Sequence, residues 1–164
     1  MTDTATSTDT ATTTDTATTT ERVQISSAVP DGYRKVINLD GYVGHAVEEP
    51  LGDLIKLRAS QINGCTYCVD MHSVDLTDGG NPLRKVFAVS AWRESPWFTE
   101  RERTALELTE AVTLIHQGGV SDDLYARSVA EFGEEGFANL ILAIGTINIW
   151  NRIAIPTHMR PPAL

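Results

Sequence analysis

The segment "LIKLRASQINGCTYCVDMHSVDL", residues 54–76, contains the features that decide the fold of this chain. Apolar residues recur at helical spacing before the dipeptide Asn63–Gly64, which marks the end of a helix. Gly64 can adopt the left-handed conformation with which many helices close. A second helix is then expected to begin near Cys65. The segment therefore predicts two helices joined by a tight turn.

The remainder of the chain after residue 30 also has the pattern of successive helices. Asp31 is expected to cap the first of them, and Ser121 a later one. Thr99 and Glu102 have the spacing of a capping box, followed by a long apolar pattern. Residues 134 to about 154 form the last and most hydrophobic helix. Because no stretch alternates convincingly with a period of two, the sequence predicts an all-α domain, a compact bundle with oligomer-forming helices.

The start of the chain, "MTDTATSTDTATTTDTATTT", repeats a six-residue unit of Thr, Ala and Asp. A segment without Leu, Ile, Val or aromatic residues buries too little apolar surface to offset its ordering entropy. Residues 1–24 are therefore predicted to be a disordered repeat tail, and residues 25–164 to form one helical domain. The tail lacks the basic and apolar regions of a signal peptide.

Charge and hydropathy indicate which partners to expect. The net charge is -9, and an acidic surface repels phosphate backbones, so no nucleic-acid partner is predicted. The most apolar run, "FANLILAIGTINIW", is interrupted by asparagines and closed by Arg152. It is judged too short and too polar to span a bilayer, which predicts no membrane partner and a cytoplasmic location. A helix that is apolar nearly all round is expected to be central to the core and also covered by a second copy, giving a homo-oligomer.

The residues that suggest chemistry follow the Gly64 turn. On one helix, Cys65, Cys68 and His72 lie on a single face, because their spacings are i,i+3 and i,i+4. A helix N-terminus favours a thiolate, and His72 could take the thiol proton. Asp75 could orient His72 locally, and Asp53 could do so from the preceding helix. The residues together make a dithiol with its own base.

The residues alone leave three other interpretations open. The cysteines could be two buried structural residues, since a single C-x-x-C is a weak motif. Cys65, Cys68, His72 and an acid would also make four zinc ligands, although structural zinc sites usually draw a second ligand pair from a distant segment. A purely stabilising disulfide would close only a very small loop.

The same segment resembles the core of the AhpD-like alkylhydroperoxidases of the carboxymuconolactone decarboxylase superfamily. The segments "WRESPWFTERERTALELTEAVTL" and "INIWNRIAI" are similar to later parts of these proteins. The resemblance extends from about residue 30 to residue 155. It implies an all-helical fold, assembly into trimers or hexamers, and thiol-dependent reduction of organic hydroperoxides or hydrogen peroxide.

The resemblance also implies a role for each site residue. Cys68 would be the peroxidatic thiol, Cys65 would resolve its sulfenic acid as a disulfide, and His72 would be the relay histidine. No bound cofactor is implied, but an external reductant of the thiol or lipoyl type is required. The sequence departs from the family pattern at Asp53, where the family has glutamate, and at Tyr67, where the AhpD proteins have histidine. The shorter acid predicts a water-bridged contact with His72.

Two other functions remain as alternatives to the peroxidase. A thiol–disulfide exchange or redox-sensing protein would use the same cysteine pair without reducing peroxide. A lyase of the carboxymuconolactone decarboxylase type is the second alternative, but that chemistry has no need for a dithiol.

Overall fold

The computed structural model describes residue 20 and residues 22–163. In these residues all regular secondary structure is α-helix or 3-10 helix and there is no β-strand, which confirms the predicted all-α fold. Most of the predicted repeat tail, residues 1–19 and 21, lies outside the described residues. The α-helices are α1 (Ile25–Ala28), α2 (Pro30–Ala46), α3 (Leu51–Asn63), α4 (Thr66–Asp78), α5 (Leu83–Ala88), α6 (Glu100–Thr113) and α7 (Asp122–Thr157).

Helix α3 lies at the centre of the molecule and packs against α4, α6 and α7, while α2 packs on α7. Its apolar side chains Leu54, Ile55 and Leu57 are almost fully buried. A polar contact joins its outer side to α6. There Glu110 accepts hydrogen bonds from Arg58 Nε (2.8 Å) and from the indole N–H of Trp92 (2.8 Å). The core therefore fixes α3, and α3 in turn positions the helix that carries the cysteines.

The local signals for helix ends are mostly confirmed. Thr99 and Glu102 form the capping box, and the Ser121 hydroxyl accepts a hydrogen bond from the backbone N–H of Leu124 at 3.2 Å. The prediction that Asp31 caps the first long helix is wrong. Val29 is the N-cap, because Pro30 occupies the first helical position, where its fixed φ and missing N–H are best tolerated.

Helix α7 combines two predicted segments, and its backbone is non-helical at Gly133 (φ 71°, ψ 170°). Because the apolar part continues to Thr157, the helix is long and apolar enough to cross a membrane by length and composition alone. The expectation that the run is too short is therefore wrong. The packing of α7 against α2, α3 and α6 is that of a core helix, which passes the same test.

Asparagines on α7 hold the turn between α3 and α4. The Asn63 amide donates to Asn151 Oδ1 (2.8 Å) and to Asn148 Oδ1 (3.0 Å). Asn151 donates in turn to the Ser60 hydroxyl at 3.1 Å. Gly64 follows with φ 72°, the left-handed conformation that was predicted. These bonds explain why α7 carries asparagine within an apolar helix, and they fix the position of Cys65.

Candidate functional site

The cysteine pair lies at the start of α4, and Cys65 and Cys68 are joined as a disulfide. Cys65 is the N-cap of the helix, and its Sγ accepts a hydrogen bond from the backbone N–H of Cys68 at 3.3 Å. The two Cα atoms are 5.4 Å apart, within the usual range for a disulfide. Both side chains are 1% exposed. The structure therefore represents the oxidised state of a buried pair.

His72 lies one turn after Cys68 and faces two carboxylates. Its Nδ1 atom is 3.5 Å from Asp53 Oδ1 and 3.4 Å from Asp75 Oδ2. These separations place the groups at ion-pair distance, yet neither ring nitrogen has a hydrogen-bond partner in the part of the chain that the structure describes. The side chain is 6% exposed. The structure thus brings together His72 and both of the aspartates that the sequence offered for it.

Asp53 lies in the first turn of α3, with a side chain that is 15% exposed. Burial alone raises the pKa of this carboxyl, but its interactions with His72 and Lys56 outweigh burial and hold the pKa below its usual value. Lys56 Nζ is 3.8 Å from Asp53 Oδ1. The carboxylate is therefore maintained in its charged form next to the imidazole.

Glu49 is a neighbour of this group that the sequence argument missed. Its Oε2 accepts a hydrogen bond from the backbone N–H of Asp53 at 3.3 Å. Burial, and then the charge of Asp53, raise the pKa of Glu49. The sequence contains a signal that could have identified Glu49. It lies four residues before Asp53 at the start of a helix, and Pro50 follows it directly.

A cavity of about 200 Å³ adjoins Cys68 and His72. Its other walls come from the rest of α4, from α2, from α7 and from the segment after α7. They are mainly aromatic and sulfur-containing side chains, contributed by Tyr33, Tyr67, Met71, Trp150 and Met159. Asp40 adds one acidic group to the lining. Sequence spacing could not identify this set, because its members come from parts of the chain that meet only in the folded state.

A second cavity of about 370 Å³ is lined by Cys65. Its walls include the first residues of α4 and the segment after α7, with His158 and Arg160 as polar members. Tyr67, Ala154 and Met159 line both cavities. Each cysteine therefore adjoins a cavity of its own, and Tyr67, which the resemblance placed in the site, lies between the two.

All five residues proposed for the site lie in or beside this region. Cys65, Cys68, His72 and Tyr67 line the two cavities, and Asp53 contacts His72 from the neighbouring helix. The predicted contact between Asp53 and His72 is present, but at 3.5 Å it is longer than a good direct hydrogen bond.

The fold and the site together define an all-helical protein with a buried cysteine pair, a histidine one turn away and an acid behind it. A model of the carboxymuconolactone decarboxylase family matches residues 30–111. The chain belongs to this family, and its resemblance to the AhpD-like members is confirmed.

Individual relatives agree with this assignment. The uncharacterized protein YdfG of Bacillus subtilis is 36% identical over 135 residues, which cover 82% of this chain and 92% of YdfG. A crystal structure from Agrobacterium tumefaciens is 39% identical, with a TM-score of 0.85 over 88% of this chain and all of that one. It is a protein of unknown function whose suggested role is that of the antioxidant defence protein AhpD. The debrominase Bmp8 shares the fold, with a TM-score of 0.75 and 20% identity over 84% of this chain and 74% of its own.

Proposed function

We propose that this protein is a thiol-dependent peroxidase that reduces organic hydroperoxides or hydrogen peroxide through a Cys65–Cys68 dithiol/disulfide cycle. One observation carries the proposal: Cys68 and His72 line the same cavity while Cys68 is bonded to Cys65. The cavity is large enough for a small organic molecule, and its aromatic and methionine walls suit an apolar one.

In the first half of the cycle, Cys68 is the nucleophile. His72 takes the proton from the Cys68 thiol, and the start of α4 stabilises the thiolate that forms. The thiolate attacks one oxygen of the hydroperoxide, the O–O bond breaks, and Cys68 becomes a sulfenic acid. The other oxygen leaves as an alkoxide and receives the proton held by His72, giving the alcohol.

In the second half, Cys65 resolves the sulfenic acid. Its sulfur attacks the sulfur of Cys68, the S–O bond breaks, and the hydroxide leaves as water with the Cys65 proton. The product is the disulfide observed in the structure. An external dithiol then donates two electrons by thiol exchange, in which its first sulfur attacks the disulfide through the cavity lined by Cys65.

Asp53 is a positioning residue in this scheme. A carboxylate beside an imidazole favours the tautomer with its proton on the facing nitrogen and stabilises the imidazolium that forms when the thiol is deprotonated. Asp53 faces Nδ1 of His72. This leaves Nε2 as the nitrogen that exchanges the proton with Cys68.

Thiol–disulfide exchange without peroxide reduction is the second candidate function. The cavity lined by Cys65 favours it, because a partner thiol that entered there would reach the disulfide without using the Cys68 cavity. A decarboxylating lyase receives no comparable support, since its chemistry leaves the cysteine pair without a purpose.

We also propose that the protein is a homo-oligomer. Several large apolar side chains on α2 and α7 remain exposed, among them Ile37, Tyr42, Leu142 and Ile149. Large apolar side chains left exposed on two helices that pack together are typical of an interface between subunits. Light scattering coupled to size exclusion would give the number of copies, and a monomer at micromolar concentration would contradict the proposal.

The peroxidase proposal is tested by peroxide consumption with purified, pre-reduced protein and dithiothreitol. Wild-type protein is expected to turn over cumene hydroperoxide and to collect the disulfide, read by mass, when reductant is withheld. Cys68→Ser is expected to abolish turnover, whereas the matched variant Cys65→Ser still allows a single oxidation of Cys68. Full turnover by Cys68→Ser would overturn the assignment. Disulfide exchange with dithiothreitol but no peroxide consumption would favour the second candidate function.

A further inference from the structure

We infer that Asp53, His72 and Asp75 form a binding site for a divalent transition-metal ion of the zinc class. Each residue offers one ligand atom, and the three atoms lie within 4.8 Å of one another. The site differs from the zinc arrangement considered from the sequence, because the disulfide withdraws both cysteine sulfurs from coordination. Binding of the ion does not depend on the proposed peroxidase function.

The strongest support is the state of His72. Its side chain is 94% buried, since only 6% is exposed, and it points into the space between the two carboxylates. Neither ring nitrogen is hydrogen-bonded within the described part of the chain. A buried polar group without a hydrogen bond is costly, and coordination by Nδ1 would satisfy one of the two nitrogens.

The distances from His72 Nδ1 to the two carboxylate oxygens match those between ligands of one metal ion better than those of hydrogen bonds. Zinc binds imidazole nitrogen and carboxylate oxygen at about 2.1 Å in a tetrahedral arrangement, so two ligand atoms lie about 3.4 Å apart. Nδ1 of His72 is 3.4 Å from Asp75 Oδ2 and 3.5 Å from Asp53 Oδ1. Two edges of the tetrahedron are therefore already in place, and water would supply the fourth ligand.

The donor set also determines which ion is favoured. One imidazole with two carboxylates suits zinc and related transition metals, whereas calcium and magnesium prefer shells made only of oxygen. Asp75 gives access from solvent, because its side chain is 47% exposed. Lys56 Nζ contacts the same oxygen of Asp53 at 3.8 Å, so the ion has to displace this ammonium group.

If the proposed function is correct, the ion also inhibits the enzyme. Coordination uses the lone pair of Nδ1, so the neutral imidazole carries its proton on Nε2 and can no longer accept one from Cys68. This consequence rests on the proposed function, but the binding itself does not.

The test measures zinc binding by calorimetry on the oxidised protein, in which neither cysteine can coordinate the ion. Wild-type protein is expected to bind one zinc ion per chain and to bind magnesium far more weakly. Asp75→Asn is expected to weaken zinc binding about tenfold or more, comparable to the loss of a partner that supports a metal ligand. Asp78→Asn, the same change at an exposed position of the same helix, is the matched control and is expected to bind as wild type.

A gain of affinity provides a second test that misfolding cannot imitate. Lys56→Gln removes the competing cation and is expected to tighten zinc binding. Equal affinity of the wild-type, Asp75→Asn and Lys56→Gln proteins would overturn the proposed site. Because no peroxide is present, failure here leaves the peroxidase proposal intact, and a failed peroxidase assay leaves the metal site intact.

Discussion

Replacement of Asp53 tests the proposed relay behind Cys68 most directly. Asp53 Oδ1 is 3.5 Å from His72 Nδ1, about 0.7 Å beyond a strong hydrogen bond. Asp53→Glu adds one methylene, which extends the side chain by about 1.5 Å and closes this gap. A hydrogen bond to a charged group contributes about 1.5–3 kcal/mol, and about 1.4 kcal/mol corresponds to a factor of ten. We therefore expect Asp53→Glu to oxidise Cys68 about ten times faster, and Asp53→Asn about ten times more slowly.

The assay is a single turnover of pre-reduced protein with cumene hydroperoxide, quenched at intervals and analysed by mass for the Cys65–Cys68 disulfide. Asp75→Asn is the matched control, because Asp75 lies at a similar distance from the same nitrogen but is exposed and better screened by water. Its effect is expected to be smaller than that of Asp53→Asn. Equal rates for the three Asp53 proteins would refute the relay, and a larger effect at Asp75 would transfer the role to that residue. Melting temperatures confirm that each variant is folded.

Two further predictions concern stability. Gly64→Ala places a side chain at φ 72° and is expected to lower the free energy of unfolding by about 1–2 kcal/mol. Gly41→Ala, in the middle of α2 with open space around it, is expected to stabilise the protein slightly. Urea denaturation of both variants would show whether backbone conformation or side-chain size decides the effect. Burial raises the pKa of Glu110, but the hydrogen bond from Trp92 and the neighbouring arginines outweigh it and hold the pKa below 4.5. The contribution of Glu110 to stability is therefore complete at pH values above its pKa in the unfolded chain, and it is lost as the pH falls through its pKa in the folded protein. Glu110→Gln is expected to cost about 2 kcal/mol at pH 7 and progressively less below pH 4.5, and a difference that stays constant with pH would contradict the linkage.

The elements that local chemistry decides were predictable from sequence. Gly64, the Thr99–Glu102 capping box and Ser121 each satisfy backbone groups within a few residues, so their signals need no tertiary context. Asp31 fails as a cap because a second local signal, the proline before it, competes for the same helix start.

The cavities and the exact length of α7 depend instead on contacts between distant parts of the chain. Spacing on one helix was sufficient to group Cys65, Cys68 and His72. By contrast, Tyr33 and Trp150, whose rings pack edge to face with centroids 5.3 Å apart, belong to different helices. No period along the sequence relates them. Glu49 was missed for another reason: its spacing from Asp53 is visible in the sequence, but the burial that raises its pKa is known only from the folded structure.

In the proposed peroxidase cycle, the two cavities, which share the wall formed by Tyr67, Ala154 and Met159, have a consequence for steady-state kinetics. An oxidant and a reductant that used one entrance would exclude each other, and a high concentration of either would slow the cycle. With one cavity at each cysteine, a bulky alcohol can remain beside Cys68 while a dithiol approaches Cys65. Saturation by one substrate then leaves access for the other, so excess reductant should produce no substrate inhibition.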